Sequence, residues 1–337
     1  MNYIGIDIAK KAHEVCFLDE NGNVLDGNSF KIPNTLSGVD KLQSMLEKYG
    51  LNPQNALVAM EATGHYWLVL YSWLHEQGFE IKVINPLVTD ALRKMRVRKV
   101  KNDRIDAEIV AQVLMFGMYQ ETSVAESDTL ALRQLCRYRL WQVQTCGDLK
   151  RKTIALLDQV FPEYENLFTD VFGMTSKELL KQYTTPEEIA SIHTRKLANL
   201  LAQFSKGRFG KEKALEIKAV AGRSLGIRIA VDSFAFQIRQ MIEQLEYVEA
   251  QVAMIDEEIA AYMTKLDSPV TTIPGVGPVY GAIILSELGD IHRFPGGKQI
   301  VSYAGIDASV SASGEFEGTQ SHKTVPLRPE ASPASTS

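Results

Sequence analysis

Cysteine is scarce in this sequence: there are three in 337 residues, Cys16, Cys136 and Cys146, and none stands in a C-x-x-C spacing. That rules out a disulfide framework and gives no zinc-site signature. No apolar run reaches the length of about 18 residues that reads as a membrane-spanning helix. The N-terminus goes straight into a strand pattern, without the charged, apolar and cleavage regions of a secretory signal. The expectation is a reduced, cytoplasmic protein. A surplus of positive charge is also missing, with 36 Lys and Arg against 41 Asp and Glu and a net charge of −5. Nucleic-acid-binding domains are usually basic. Distribution matters more than the sum here, because acids gather between Glu243 and Glu258. At 45% hydrophobic and 23% charged residues, the chain suits a globular protein with two or three cores.

What is present is a basic run that leads into two acids. Arg93, Lys94, Arg96, Arg98, Lys99, Lys101 and Arg104 crowd the approach to Asp103 and Asp106. A helix starting near Asn102 sets those two carboxylates at i and i+3, on one face, with Asp103 favoured at the positive helix N-terminus. A capped helix would explain the acids alone. The basic approach adds an electropositive path for a polyanion toward a carboxylate-held metal.

Upstream, Asn2–Ile8 alternates as a strand, with Ile4, Ile6 and Ile8 on one face and Asp7 on the other. Glu14–Leu18 and Val24–Phe30 read as two more strands, joined by turn residues 19–23. An amphipathic helix over Leu36–Tyr49, a strand over Ala56–Met60 ending at Glu61, a helix through Tyr66–Trp73 and a strand over Glu80–Ile84 follow. Hairpins first, then strands alternating with helices, predict an α/β mixed sheet with helices packed on it. If the first and fourth strands are neighbours, Asp7 and Glu61 leave the same sheet edge. The Asp103–Asp106 helix can then lie across them, giving four oxygen donors for divalent cations. Each acid alone has a bland reading, as a strand terminus, a helix start or a weak Asp-x-x-Asp.

Four local sequences carry more. Tyr3-Ile-Gly-Ile-Asp-Ile-Ala-Lys10, Met60-Glu-Ala-Thr-Gly-His-Tyr66, Val83-Ile-Asn-Pro86 and Lys101-Asn-Asp-Arg-Ile-Asp-Ala107 occur in that order. They resemble the N-terminal domain of the DEDD transposases, the insertion-sequence family related to the Piv site-specific invertases. The resemblance is close over the first third of the chain and looser beyond it. It implies a RuvC-like, ribonuclease-H-type fold with Asp7, Glu61, Asp103 and Asp106 as the Mg²⁺ (or Mn²⁺) tetrad. It also implies DNA recombination, a homo-oligomer (dimer or tetramer) and, as a further partner, a structured guide RNA encoded by the element.

Beyond Ala107 the chain is helical. Asp128–Val160 has no proline and carries Arg133, Arg137, Arg139, Lys150, Arg151 and Lys152, which reads as a solvated face or as one that tracks a nucleic-acid backbone. Thr185-Pro-Glu-Glu188 is a capping box, and Ser205–Lys213 is a basic turn with one aromatic. Ile238, Leu245, Val252, Ile259 and Leu266 recur every seventh residue, with Met241, Val248, Ile255 and Tyr262 between them. This a/d seam fits a dimeric coiled coil or a hairpin with Asp128–Val160. As a spacer its helix spans ~43 Å.

Ile273-Pro-Gly-Val-Gly277, before a helix over Val279–Leu288, resembles the phosphate-holding turn of helix-hairpin-helix DNA binders, with Gly275 and Gly277 exposing backbone N–H groups. A tight interhelical turn explains it equally well. Tyr303-Ala-Gly-Ile-Asp307, Ser313-Gly314 and Phe316-Glu-Gly318 resemble the family's C-terminal transposase domain, and this implies Ser313 as nucleophile. After Gly318 the family's basic segment is replaced by a Pro/Ser-rich stretch expected to be disordered. That reads as a truncated or frame-shifted second domain, and weak recombination is expected.

The resulting domain expectation is a RuvC-like catalytic domain over 1–120, then a helical coiled-coil region over 121–267 with a small helical insertion at 161–225. A small, partial C-terminal domain over 268–318 and a tail over 319–337 complete it. Two alternatives stay open beside the recombinase: an endonuclease using metal-activated water, and a nucleic-acid-binding remnant without strand transfer.

Overall fold

Side-chain alternation along the first strand sorts the two faces of a five-stranded sheet. β1 (Asn2–Asp7) turns Ile4 and Ile6 to one face and Tyr3, Gly5 and Asp7 to the other. β2 (Ala12–Leu18) pairs with it antiparallel, β3 (Phe30–Pro33) extends that side, and β4 (Ala56–Glu61) and β5 (Glu80–Ile84) run parallel to β1 on the other. The order is β3-β2-β1-β4-β5, an arrangement consistent with a ribonuclease-H-like domain. The computed structural model describes residues 1–25, 27–61, 64–95, 103–117, 127–305, 310–313 and 316–319.

One face is covered by α1 (Leu36–Lys48) and α2 (Trp67–Glu76), whose Leu42, Leu46, Leu70 and Leu74 meet Ile4, Ile6, Val15, Phe17, Val58 and Met60. The other face carries α4 (Asp103–Met115), with Ile109, Val110 and Val113 against Ala59 and Ile84, and Ala107 and Ala111 against Cys16 and Leu18. The intervening α3 (Pro86–Met95) packs on α4. The expected strand over Val24–Phe30 forms instead at Phe30–Pro33. Val24 makes only an isolated bridge to Leu18, and Gly27 adopts φ +67°, so the chain turns before it can pair.

The chain divides into two compact units, residues 1–125 together with 290–337, and residues 126–289. In the second, α5 (Ser127–Val160) and α10 (Val231–Leu266) form a long pair. Leu132 and Cys136 cluster with Ile255, Ile259 and Met263 at one end, and Leu157 and Val160 with Ile238 and Ile242 at the other, so the helices run antiparallel. The heptad seam thus finds a partner within the chain. Between these helices lie α6 (Met174–Gln182), α7 (Pro186–Ser191), α8 (Thr194–Phe204) and α9 (Lys211–Ala221). Thr185 and Glu188 form the expected capping box at α7. In the basic turn after α8, Phe209 packs on Phe168. α11 (Pro278–Leu288) follows α10 and buries Ala282 beside Leu132 and Met263, so its apolar face has partners in this unit. In the first unit's C-terminal part come α12 (Gly297–Tyr303) and an antiparallel pair, β6 (Val310–Ser313) and β7 (Phe316–Thr319). The tail expectation for 320–337 falls outside the described residues. No helix among the described residues is long and apolar enough to cross a membrane.

Two predictions follow from this packing. A Cβ built on Gly5 would sit 2.2 Å from the Ala107 carbonyl oxygen and 2.4 Å from the Ala111 nitrogen. Backbone cannot yield there as a flexible side chain can, so Gly5→Ala should destabilise the sheet unit by on the order of 3 kcal/mol, read by urea denaturation. In the helical unit Glu249 holds Lys177 at 2.7 Å and Lys150 at 3.3 Å. Burial raises its pKa, but the two lysines outweigh that and leave it below the ordinary 4.5. Because the folded value is the lower one, this pairing stabilises above pH 4.5 and is lost as pH falls through the folded value. Glu249→Gln should therefore flatten the loss of Tm below pH 4.5, measured by circular dichroism melts.

Candidate active site

Two of the carboxylates singled out in the sequence, Asp7 and Glu61, come to one face of the sheet. β1 and β4 are neighbours in parallel register, Ile6 opposite Met60, so Asp7 and Glu61 end adjacent strands side by side. Leu57, Ala59 and Glu61 share a face of β4 by alternation, and Ala59 packs on α4. Asp7 and Glu61 thus lie on the face that α4 covers. The direction of α4 follows from its close approaches. Gly5 abuts Ala107 and Ala111, while Gly22, beyond the other end of β2, lies 3.2 Å from Met115 if given a Cβ. The helix therefore begins toward the C-terminal ends of β1 and β4, where Asp7 and Glu61 lie. Ligand sites of open sheets with parallel strands favour such ends.

Asp106 is buried at 7% exposure, and Asp7 and Glu61 are half-buried. Asp103 is the first residue of α4; its side chain lies outside the described residues. Glu61 Oε2 accepts a 2.9 Å hydrogen bond from the hydroxyl of fully buried Thr89. That hydroxyl also lies 2.9 Å from the Pro86 carbonyl oxygen, which ties the carboxylate to the first turn of α3.

Sequence reasoning passed over one acid of this face. Glu14, on β2, is paired directly with Asp7 and is 3% exposed. Ser29 donates a hydrogen bond to its Oε1, while Oε2 is buried without a hydrogen-bond partner among the described residues. The signal available was a lone carboxylate inside the apolar run Val15-Cys-Phe-Leu18 and its neighbours. Next to it, burial, with Glu108 and Glu14 adding to it, pushes the Cys16 thiol up to about 12, so Cys16 is no thiolate nucleophile.

Carboxylate oxygens suit a hard divalent cation, and the unpartnered Glu14 oxygen is of the kind such an ion satisfies. Among the described residues no three His, Cys, Asp or Glu side chains stand close enough to hold an ion by themselves. The described side chains alone do not complete a metal site.

The basic approach is less visible. Lys94 and Arg104 are exposed on α3 and α4. The side chain of Arg93 and all of Arg96, Arg98, Lys99 and Lys101 lie outside the described residues. On α5 three arginines have partners on α10 or α11. Arg133 donates to the Ser286 carbonyl at 2.6 Å, Arg137 pairs with Glu287 at 3.0 Å, and Arg139 pairs with Asp256. Part of this face thus holds α10 and α11, while Arg151 pairs with Asp148 of its own helix and Lys152 is exposed. Gly275 takes φ +85° in an exposed turn, and Gly277 precedes Pro278 at the start of α11. Ser313 ends β6 opposite Phe316; its side chain lies outside the described residues.

Comparison with known proteins decides the lineage. A model of IS110 DEDD transposases matches residues 4–162, and one described as the transposase IS116/IS110/IS902 family matches residues 267–326. The chain belongs to the IS110/IS116/IS902 family of transposases. Among relatives of this family, the "Mini-circle putative transposase for IS117" of Streptomyces coelicolor is 26% identical, over 93% of this chain and 77% of that protein. The pilin gene-inverting protein of Moraxella lacunata is 24% identical, over 90% of this chain and 71% of its own length. The transposase for insertion sequence element IS1111A of Coxiella burnetii is 24% identical, over 93% and 70%. This IS110-family chain is thus a DNA recombinase of the transposase kind. The first family match begins within β1 and runs through α4, the elements that carry all four acids.

Thr89 offers a direct test of how the site is held. Thr89→Val leaves Glu61 and the Pro86 carbonyl without their shared donor. Stability should fall by about 1–2 kcal/mol, measured by urea denaturation, and recombination should weaken.

Proposed function

We propose that Asp7, Glu61, Asp103 and Asp106 form the divalent-cation site of this recombinase and that Ser313 is its nucleophile. The observation that carries the reading is the adjacency of Asp7 and Glu61 on parallel strand ends, with α4 starting toward them. When bound, Mg²⁺ or Mn²⁺ would supply charge stabilisation at the reacting phosphate. The carboxylates hold position through their strands and α4, and Thr89 keeps Glu61 turned along α3. The Ser313 oxygen forms an ester to phosphorus as the bridging bond to one deoxyribose breaks. Its hydroxyl proton ends on the released sugar oxygen. Attack by a second strand's hydroxyl reverses the step and restores the serine.

Arg93, Lys94, Arg96, Arg98, Lys99, Lys101 and Arg104 neutralise the DNA backbone on this reading, and Gly275 and Gly277 offer backbone N–H groups to a phosphate. Residues 1–120 act as the catalytic domain and 121–267 as the helical spacer, with 268–318 bringing the serine. The exposed sides of α5 and α10, including Trp141 and Tyr247, serve association with a second copy. A structured RNA from the element selects the target.

The test traps the covalent step. A supercoiled plasmid carrying the element's ends is incubated with the protein and Mg²⁺, then denatured and probed for protein-linked DNA. The wild-type chain should give an adduct, Ser313→Ala none, and Asp106→Asn at least ~100-fold less. Cleavage without an adduct, unchanged by Ser313→Ala, would replace this reading with a water-using endonuclease.

A further inference from the structure

The geometry points to Glu14 as a fifth carboxylate of the cation-binding face, a direct oxygen ligand acting with Asp7. The inference rests on the proposed cation site and adds a residue that the four-acid pattern leaves out.

Three observations converge on it. First, Asp7 and Glu14 are directly opposite in the antiparallel β1–β2 register. Opposed residues project to the same face, with Cβ atoms about 4.5–5.5 Å apart. Two carboxylates at that spacing can share one ion. Second, the face is the one covered by α4, since Cys16, two residues along β2 from Glu14, packs against Ala107 and Ala111. Third, the two oxygens of Glu14 are treated differently. Ser29 donates to Oε1, whereas Oε2 is buried with no donor of any kind among the described residues.

An anchor for Ser29 explains only the first oxygen, and a glutamine would serve it as well. A buried carboxylate oxygen without a donor is costly. Its position beside a second carboxylate makes that cost worse, because like charges repel. A cation removes both penalties at once. Ser29 then has a supporting role, holding one oxygen so that the other is presented to the ion, in the manner of outer-shell partners at metal sites.

The test uses the full chain stripped with chelator and titrated with Mn²⁺ alone, following affinity by calorimetry and Tm by circular dichroism. Wild type should bind Mn²⁺ and gain Tm. Glu14→Gln should bind at least ~10-fold more weakly, while its metal-free Tm equals or exceeds that of wild type because the repulsion with Asp7 is gone. Ser29→Ala should lose less affinity than Glu14→Gln. Unchanged affinity in Glu14→Gln overturns the inference. So does a loss in Ser29→Ala as large as that in Glu14→Gln, which would make Glu14 a loop anchor. Asp106→Asn, run in parallel, separates the two levels. Wild-type affinity there removes the four-acid reading itself, whereas weakened Asp106→Asn beside normal Glu14→Gln removes only the role given to Glu14. If Glu14→Gln fails to fold, Glu14→Asp, which keeps the charge on a shorter arm, should bind more weakly than wild type; equal binding overturns the proposal.

Discussion

At Gly5 the backbone of α4 comes so near to β1 that a single methyl group would overlap the Ala107 carbonyl. The architecture of the sheet unit depends on that contact. Only a residue without Cβ lets the helix lie flat on the strand, and small Ala107 and Ala111 complete the fit from the other side. The close approach fixes both the distance and the direction of α4. It therefore brings the start of that helix toward the strand ends where Asp7 and Glu61 stop. A bulkier contact would lift the helix, and its acids with it, away from the sheet. The apolar face under α1 and α2 supplies most of the large buried side chains, but it positions none of these acids.

Electrostatics divides the molecule differently from the overall charge balance. On the α4 face, acids collect at the ends of β1 and β4, with Glu14 beside them. In the helical unit, acids and bases cancel locally. Lys177 and Lys181 of α6 meet Glu249 and Glu246 of α10, and Arg139 of α5 meets Asp256. These pairs line the middle of the α5–α10 hairpin, between two apolar clusters at its ends. Exposed pairs of this kind contribute little stability singly. Their register also helps to hold the two long helices in one antiparallel alignment. Half of the acidic run of α10, namely Glu246, Glu249 and Asp256, is thus the counterpart of α5 and α6 cations.

Much of this organisation was legible along the chain. Alternation gave β1 with its two faces, because a half-buried strand must repeat every two residues, and short apolar runs gave β4 and β5. Helical periodicity gave α1 and α10, the absence of proline gave α5, and the Thr185–Glu188 box marked a helix start through its reciprocal hydrogen bonds. Asp7 and Glu61 stood out at strand ends, and Asp103 and Asp106 as an i, i+3 pair at the start of α4. The third strand starts six residues later than expected, since Gly27 and Asn28 bend the chain before Phe30. Glu14 was overlooked because a single acid within an apolar strand gives no local pattern. Its significance lies in what stands across the ladder, and register is not written in either strand alone.

By itself, then, the sequence determined most strands of the sheet and the long helices, where the acids sit within them, and the family to which its motifs belong. Those properties are local, set by backbone preference and by side-chain spacing along one segment. Only the tertiary structure decided that β1 and β4 lie side by side, that Glu14 faces Asp7, and that the heptad seam of α10 is taken up by α5 of the same chain. It also decided that Arg133, Arg137 and Arg139 serve the helical unit's own packing. Each of these depends on segments far apart in sequence meeting in space, and their pairing is chosen by the total fit of apolar faces and charges.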